Sequence, residues 1–342
     1  MAQATIRTKR RPLAWTVLAL IGLYLLVVLF LMWWWDIEPK AFDPMEAARQ
    51  ETASAAQAQV TGATTTATLI ETVDTLLDKR GGYLSNDKLP PGVLMDNVPN
   101  WEFGALTASR DLVRAMRNDF SRSQSQSTEN PDLAEADPLL NSPNDRWLLP
   151  SSESQFGKGA KHLRAYLNDL VKGGDKAEFY ARADNLADYF QLASARLGSL
   201  SQRLSASVGQ LRLEVPAAES SAATPPAAPG QVPGSAGLTR VKTPWTKIDD
   251  NFYEARGYTW ALMLQLKAFQ TDFATVLAKK NAAVSLDQVI RELEEAQHPL
   301  GSPIVLNGAP FGFFANHSLV MANYVSRANA ALIDLAALLK RG

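Results

Sequence analysis

The sequence of 342 residues contains no cysteine. This absence excludes a disulfide-stabilised scaffold, a zinc or iron–sulfur site with cysteine ligands, and a cysteine nucleophile. An excess of positive charge is also missing, because 34 lysines and arginines stand against 35 aspartates and glutamates. A protein that binds nucleic acid through bulk charge is therefore not expected.

Histidine is scarce, and the motifs of common enzyme classes are missing. The three histidines, His162, His298 and His317, belong to separate predicted elements, and no pair has the spacing of metal ligands on a helix. The sequence contains neither a glycine-rich phosphate-binding loop nor the G-x-S-x-G turn of serine hydrolases. We therefore predict no metal site, no cofactor and no catalytic residue.

Charge is absent altogether from Leu13–Trp35, a run of 23 residues. At about 1.5 Å per residue, a helix of this length spans about 35 Å, enough to cross the roughly 30 Å hydrocarbon core of a bilayer. Tryptophans at both ends are typical of membrane interfaces. The run is longer than the apolar region of a signal peptide, about 7–15 residues, and no cleavage site follows it. We therefore interpret 13–35 as a transmembrane helix in the lipid bilayer.

The charges that flank this helix predict its orientation. Residues 1–12 contain four basic residues and no acidic one, whereas the residues just after Trp35 are mainly acidic. Because basic flanks stay in the cytoplasm, residues 1–12 are expected to be a cytoplasmic tail and the remainder to be periplasmic. The prediction is a single-pass protein of the bacterial inner membrane.

The exported part has the pattern of an all-α bundle with long helices. Caps and apolar steps of three and four predict helices over about 44–80, 104–121, 153–172, 175–213, 244–280, 285–298 and 316–340. The stretch TGATTTAT within the first helix contains poor helix formers, so the pattern allows a break there. An ordered loop is expected over 81–103, a polar segment from 122 to 150, and a tight turn at Asn307-Gly308.

Residues 214–240 differ from the rest in composition, with five prolines, seven alanines and no aromatic residue. This composition predicts a disordered linker between a first part of the bundle, 36–213, and a second part, 241–342. We expect the two parts to pack as one domain. The helix over 175–213 has a seam close to that of a coiled coil, which indicates bundle core, with a dimer interface as the alternative. The oligomeric state stays open.

Three arginines, Arg110, Arg114 and Arg117, lie four and three residues apart on the second predicted helix of the domain. At about 100° per residue, they fall on one stripe of that helix. Three guanidinium groups on one stripe could bind a phosphate, a lipid headgroup or a carboxylate. The alternative, which we favour, is that they pair with acids on neighbouring helices.

The last helix carries a polar stripe made of Asn316, Asn323, Arg327 and Asp334 on an otherwise apolar surface. Arg327 and Asp334 exclude this helix as a second membrane span, because each costs about 2.5–3.5 kcal/mol on insertion. Buried polar groups must be hydrogen-bonded, so we expect the stripe to meet polar partners in the bundle. The arginine stripe together with Glu102 is the hypothetical partner, either as a structural network or as a functional cleft.

The chain resembles a family of Gram-negative inner-membrane proteins catalogued as domain-of-unknown-function family 2333. The similarity rests on the following strings: GGYLSND (81–87), PPG (90–92), DN-x-P-x-WEFG (96–104), RND-F-SRSQSQS (117–127) and ANHS-x-x-MANY-x-x-RANAA (315–331). The resemblance implies one N-terminal anchor and a helical exported domain, and it transfers no catalytic residue.

Two functions of different classes are compatible with these features. The first is a membrane-anchored periplasmic adaptor or scaffold for cell-envelope assembly or maintenance, without catalytic activity, that contacts other envelope proteins. The alternative is a periplasmic enzyme or binding domain that acts on an anionic envelope component through an arginine-lined cleft. The candidate anion contacts are then Arg110, Arg114, Arg117 and Arg327, with Glu102 or His317 as acid or base.

Overall fold

Helices make up most of the domain. The computed structural model describes residues 10–123, 128–214, 237–302, 304–309 and 312–341. Within these residues the α-helices are α1 (Arg10–Trp35), α2 (Pro44–Glu51), α3 (Ala55–Ala58), α4 (Ala63–Asp78), α5 (Asn97–Ala115), α6 (Pro131–Leu140), α7 (Ser152–Lys172), α8 (Ala183–Ser205), α9 (Ile248–Asp272), α10 (Ala274–Lys279), α11 (Ala283–Glu295) and α12 (His317–Lys340). Strands β1 (Gln210–Glu214) and β2 (Gly237–Val241) form a small antiparallel hairpin. The predicted all-α class, with one apolar helix before a helical bundle, is confirmed.

The first predicted helix, 44–80, is divided into α2, α3 and α4. The last break falls within TGATTTAT, where Gly62 adopts a left-handed conformation with φ of 90° immediately before α4. A side chain at Gly62 would overlap the ring of Phe179. The threonines that follow are buried, and the hydroxyls of Thr66, Thr68 and Thr72 each donate to the carbonyl four residues earlier, at 2.7 Å. These bonds satisfy their polarity inside the core.

Three other segments differ from the predicted elements. Helix α5 begins at Asn97, inside the predicted loop, and α6 lies in the segment that we expected to be polar and irregular. The sequence at the start of α6 could have predicted this helix, because Asn130 caps it and Pro131 occupies its first turn. The predicted helix 175–213 is shorter, since α8 ends at Ser205 and β1 follows. The predicted linker 214–240 therefore begins and ends in strand residues, and residues 215–236 lie outside the described residues.

The core is one cluster of buried side chains drawn from the chain both before β1 and after β2. Within this cluster α5 packs closely against α9, and the two helices run in the same direction. Their backbones touch at two glycines: a Cβ on Gly257 would lie 2.7 Å from the Trp101 carbonyl carbon, and one on Gly104 would lie 2.6 Å from the Tyr258 nitrogen. The predicted seam of α8 is buried in the core along α12.

The start of α4 is fixed by an internal carboxylate, Asp272, at the end of α9. Its Oδ2 accepts hydrogen bonds from the backbone N–H and the hydroxyl of Thr65, both at 2.6 Å. The backbone N–H groups of Gly62 and Thr64 also donate to this carboxylate. Burial raises the pKa of Asp272 to about 6, although these hydrogen bonds act to lower it.

We expect mild acidification to stabilise the domain through Asp272. Its pKa is 3.8 in the unfolded chain and about 6 in the folded one, so the folded state binds the proton first as the pH falls. The free energy of unfolding should therefore rise by about 1 kcal/mol between pH 7 and pH 5, and this gain is lost as the pH rises through 6. Urea denaturation at the two pH values measures it. In the Asp272→Asn variant, the free energy of unfolding should rise by about 1 kcal/mol less between pH 7 and pH 5 than in the wild type. An equal rise in both proteins would show that Asp272 is not the group responsible.

Candidate functional site

Helix α1 projects from the domain, and most of the surface of its segment Ala14–Trp35 is exposed. Its segment Ala14–Trp35 is long and apolar enough to cross a membrane, and among the described residues it is the one helix with these properties. The end of α1 nevertheless contacts the domain, and we call these contacts the anchor junction. They involve Trp34, Trp35, Asp36 and Glu38.

The anchor junction begins with the tryptophans at the end of α1. The guanidinium carbon of Arg80 lies 4.2 Å from the centre of the Trp34 ring, a cation–π contact. Gly81, with φ of 82°, leaves room for Trp35, because a Cβ there would lie 2.6 Å from the indole ring. The side chain of Asn97, the first residue of α5, donates to Asp36 at 3.4 Å. Burial raises the pKa of Asp36.

A buried arginine completes the anchor junction. Arg256 of α9 donates from Nε and Nη2 to the carboxylate of Glu38, at 2.8 and 2.6 Å. Its Nη1 donates to the carbonyl oxygens of Ala296 and His298, just beyond the end of α11, at 3.3 and 2.9 Å. One guanidinium group therefore holds the segment after α1 against both α9 and the end of α11.

Glu102 lies fully buried behind the junction. Its carboxylate forms an ion pair with Lys79, which is itself buried, and accepts the backbone N–H groups of Leu84 and Ser85, both at 2.8 Å. The hydroxyl of Ser85 also donates to it. Burial raises the pKa of Glu102, against the opposing effect of Lys79. Glu102 therefore ties the loop after α4 to α5, and it is sealed from solvent.

The three arginines of the predicted stripe have different partners. Arg110 donates to the carbonyl oxygens of Leu140 and Ser142 at 2.8 and 2.7 Å, at the end of α6. Arg114 is exposed and donates to the side chain of Asn141 at 3.2 Å. Within the described residues, neither forms an ion pair. Pairing with acids, the alternative that we favoured, is seen for Arg117 alone.

Arg117 lies just beyond α5, in the π-helical turn Met116–Phe120, and is linked to Arg114 only indirectly, through Asp137 and Asn141. It contacts Glu129 at 2.7 Å and Asp137 of α6 at 3.0 Å. These contacts raise its pKa. Both carboxylates lie within hydrogen-bond distance, so the charge of Arg117 is neutralised internally.

Arg110 and Arg114 line a groove of about 570 Å³ between α5 and α8. We call it the arginine groove. Two further arginines line it, each bound to a carboxylate. Arg196 of α8 contacts Asp111 at 2.9 Å, and Arg203 contacts Glu254 through Nη2 at 2.6 Å. Four guanidinium groups thus face two carboxylates, which leaves an excess of positive charge.

Sequence reasoning missed Arg196 and Arg203. They are seven residues apart on α8, a spacing that places them on the same face of a helix and that could have identified them. Their approach to Arg110 depends on how α8 packs on α5, which the sequence does not show. Burial, together with the nearby charge of Arg114, lowers the pKa of Arg110.

The predicted polar stripe of α12 is not a buried network. Asn316 is buried and caps α12 by accepting the N–H of Leu319 at 2.9 Å. Asn323 and Asp334 are exposed, and the exposed Arg327 pairs with Glu292 of α11 rather than with the arginine stripe. The expectation failed because alanines on the outer face make α12 look apolar all round. Its buried face is a separate set: Met321, Ala322, Val325, Ala328, Leu332, Leu335, Ala336 and Leu339.

His317, at the start of α12, is half-buried and held by backbone. Its Nδ1 accepts the N–H of Leu306 at 3.0 Å, and burial lowers its pKa. The imidazole is therefore neutral near pH 7, with its proton on Nε2. The six candidate ligand-binding residues do not converge: Arg110 and Arg114 share a groove, whereas Arg117, Arg327, Glu102 and His317 each have their own partners.

The fold and the anchor junction define a helical domain tied to a single candidate membrane helix. The chain belongs to the family described as "uncharacterized protein conserved in bacteria (DUF2333)", whose model matches residues 8–342. The resemblance to family 2333 is thereby confirmed. No curated protein and no solved structure shows significant similarity to the chain.

Two of the strings that carried the resemblance build the anchor junction. In GGYLSND, Gly81 receives Trp35, while Leu84 and Ser85 bind the carboxylate of Glu102. In DN-x-P-x-WEFG, Asn97 contacts Asp36 and Gly104 allows α9 to approach. Gly81 and Asn97 therefore connect the end of α1 to the domain, whereas Leu84, Ser85 and Gly104 pack the interior behind that contact.

Proposed function

We propose that the protein is a single-pass bacterial envelope protein, anchored in the inner membrane by α1, whose periplasmic helical domain is a non-catalytic adaptor or scaffold. The observation that carries this proposal is the anchor junction. A flexible tether would let the domain tumble above the bilayer. Here Arg80, Asn97 and Arg256 bind the last turn of α1 and the residues that follow it. Such a mounting suits a domain that presents its surfaces to partners in a set orientation.

The anchor junction also favours an anchor over a cleaved signal sequence. Trp34 and Trp35 belong to the apolar run, yet they contact Arg80 and Gly81 of the domain. Cleavage after this run would remove both aromatic contacts. The basic residues before α1 and the acidic ones after it support a cytoplasmic N-terminus.

The burial and hydrogen bonding of the candidate acid and base, Glu102 and His317, support a binding role rather than catalysis. Glu102 is sealed behind the loop 81–87 and is saturated with hydrogen-bond donors. His317 accepts a backbone N–H and lies among partners different from those of Glu102. Neither residue faces the arginine groove, so no acid or base is positioned for a ligand held there.

Reporter fusions at the C-terminus test the topology. We expect active alkaline phosphatase and dark green fluorescent protein, because the former needs the periplasm and the latter does not fluoresce after export in an unfolded form. The reverse result would overturn the proposal. Crosslinking in intact cells followed by mass spectrometry tests the adaptor role: recovery of envelope proteins is expected, and a complete lack of them would contradict it.

The arginine groove favours a second candidate function, the binding of an anionic envelope component. Arg110 and Arg114 line the groove without a carboxylate partner among the described residues, although Arg110 is held by two backbone carbonyls at the end of α6. Arg114 is exposed, so its guanidinium group can change partners at low cost. A phosphate or carboxylate placed beside Arg114 would meet one forked donor that has no carboxylate partner among the described residues, within the positive field of Arg196, whose own fork is bound to Asp111.

Replacing Arg114 with alanine tests this binding. We expect the full chain in detergent to bind glycerol phosphate or N-acetylmuramic acid, as phosphate and carboxylate probes, by calorimetry. A charge-assisted hydrogen bond contributes about 1.5–3 kcal/mol, so Arg114→Ala should weaken binding about tenfold or more. Arg291→Ala, at an exposed position of α11, is the matched control and should bind normally. Equal affinity in the two variants would exclude the groove as the site.

A further inference from the structure

Several exposed apolar side chains lie on loops at the end of the domain that carries the anchor junction. The end of the domain where α1 joins is also the end where α5 and α9 begin, because these helices run in the same direction. Asp36 after α1 contacts Asn97 at the start of α5. The loop that precedes α5 therefore lies near the point where α1 leaves the domain, and the loop that precedes α9 adjoins it at Asp96.

The loop before α5 exposes three aliphatic side chains. Leu89 is 77% exposed, Val93 50% and Leu94 58%, within eight residues of Asn97. None of them caps or supports α5, which is packed through Val98, Trp101 and other buried residues. Their exposure is costly in water, and it is confined to the part of this loop that precedes Asp96.

The loop before α9 exposes a tryptophan beside them. Trp245 is 84% exposed and lines a cavity of about 920 Å³ together with Ile304 and Asp96. Asp96 is the residue directly before α5, so this cavity adjoins the first loop. The chain after Ile304 pairs residues 306–308 with 315–317, and between these pairs the side chain of Phe313 is 98% exposed.

We propose that these side chains form a second contact with the bilayer that α1 crosses. We call the set Leu89, Val93, Leu94, Trp245 and Ile304 the apolar collar. The occupant is assigned by continuity: Trp34 and Trp35 lie at the end of the apolar run and are bound to the domain, so the membrane surface lies at this end of it. Tryptophan and aliphatic side chains on loop tips enter the region between headgroups and acyl chains.

The charges around the collar fit a phospholipid surface of mixed headgroups. Lys88, Lys242 and Lys247 flank it, and so do Asp96 and Asp249. With both signs present, binding depends on apolar burial rather than on anionic lipid alone. The contact would fix the orientation of the domain on the membrane and keep the arginine groove at a constant height above it.

This inference rests on the proposed anchoring by α1, and single-cysteine labelling separates the two. Because the chain has no cysteine, Leu94→Cys and Trp245→Cys each introduce one unique site for an environment-sensitive fluorophore. Val284→Cys is the matched control, since Val284 is 74% exposed at the start of α11, and Arg256 contacts the opposite end of that helix. Leu25→Cys, within α1, reports whether the anchor is inserted. Circular dichroism verifies that each labelled variant keeps its helix content.

The full-length variants are reconstituted into vesicles of phosphatidylethanolamine and phosphatidylglycerol that carry a lipid-attached quencher. We expect blue-shifted, quenched emission at positions 25, 94 and 245, and aqueous emission at 284. If 25 is quenched but 94 and 245 match 284, the collar is wrong and the anchor stands. If 25 is itself aqueous, the anchoring fails and the collar with it. Blue-shifted emission at 94 and 245 without lipid quenching would indicate contact between copies of the chain and would also overturn the inference.

Discussion

Replacing Gly257 with alanine is expected to destabilise the domain by about 3 kcal/mol or more. The added Cβ would lie 2.7 Å from the carbonyl carbon of Trp101, which is backbone and cannot rotate away. Helices α5 and α9 would have to separate, and the core packed between them would loosen along their length. Urea denaturation followed by circular dichroism measures the loss of stability.

Gly157→Ala is the matched control for this prediction. Gly157 lies inside α7, where an added Cβ would find its nearest neighbour, Leu77, at 3.9 Å. Because glycine is a poor helix former, alanine should stabilise α7 by up to about 1 kcal/mol. Equal effects at Gly157 and Gly257 would show that helix propensity, rather than the close approach of α5 and α9, decides the result.

Glu102→Gln is expected to destabilise the domain by about 3–5 kcal/mol. The substitution leaves the buried Lys79 without a counter-charge and places an amide group among three donors that need acceptors. The loop 81–87 should open, and limited proteolysis should cleave there before the rest of the domain. The anchor junction should loosen as well, because Gly81 lies in the same loop.

Two further variants test whether the ion pair is the cause. Glu46→Gln removes the exposed partner of Arg49 in α2 and should cost less than about 1 kcal/mol. The double variant Lys79→Met/Glu102→Gln should be less destabilised than the sum of its single changes, because no unpaired charge stays buried. Strict additivity would mean that Lys79 and Glu102 do not stabilise each other.

The sequence predicted those features that depend on local pattern. The uncharged run 13–35 predicted α1, and caps with apolar periodicity predicted the centres of α4, α7, α9, α11 and α12. The family followed from strings such as GGYLSND. The sequence pattern allowed a break at Gly62 but did not require one. The requirement comes from Phe179, which is distant in sequence and leaves no room for a side chain at this position.

What the sequence could not show is which side chains meet across the bundle. Helix periodicity predicted the two polar stripes, but Arg117 lies just beyond α5 and Asn316 precedes α12 as its cap. The partners of Arg110 and Arg327 come from α6 and α11. Glu102 was considered a candidate acid because the sequence does not show that it is buried. Its burial under Ser85 depends on the path of the loop 81–87. Likewise, the groove between Arg114 and Arg196 arises from the packing of α5 on α8. Local patterns in a single sequence show where helices form, but they do not show which of these helices pack against each other.

The β-hairpin has a practical consequence for engineering. Glu214 and Gly237 are paired residues, so the described chain ends and resumes at neighbouring positions. The length of sequence inserted between them has little effect on stability, since each doubling of a loop costs only about 0.6 kcal/mol in closure entropy. An epitope tag or a fluorescent reporter can therefore be spliced between these two residues while both ends of the chain stay native.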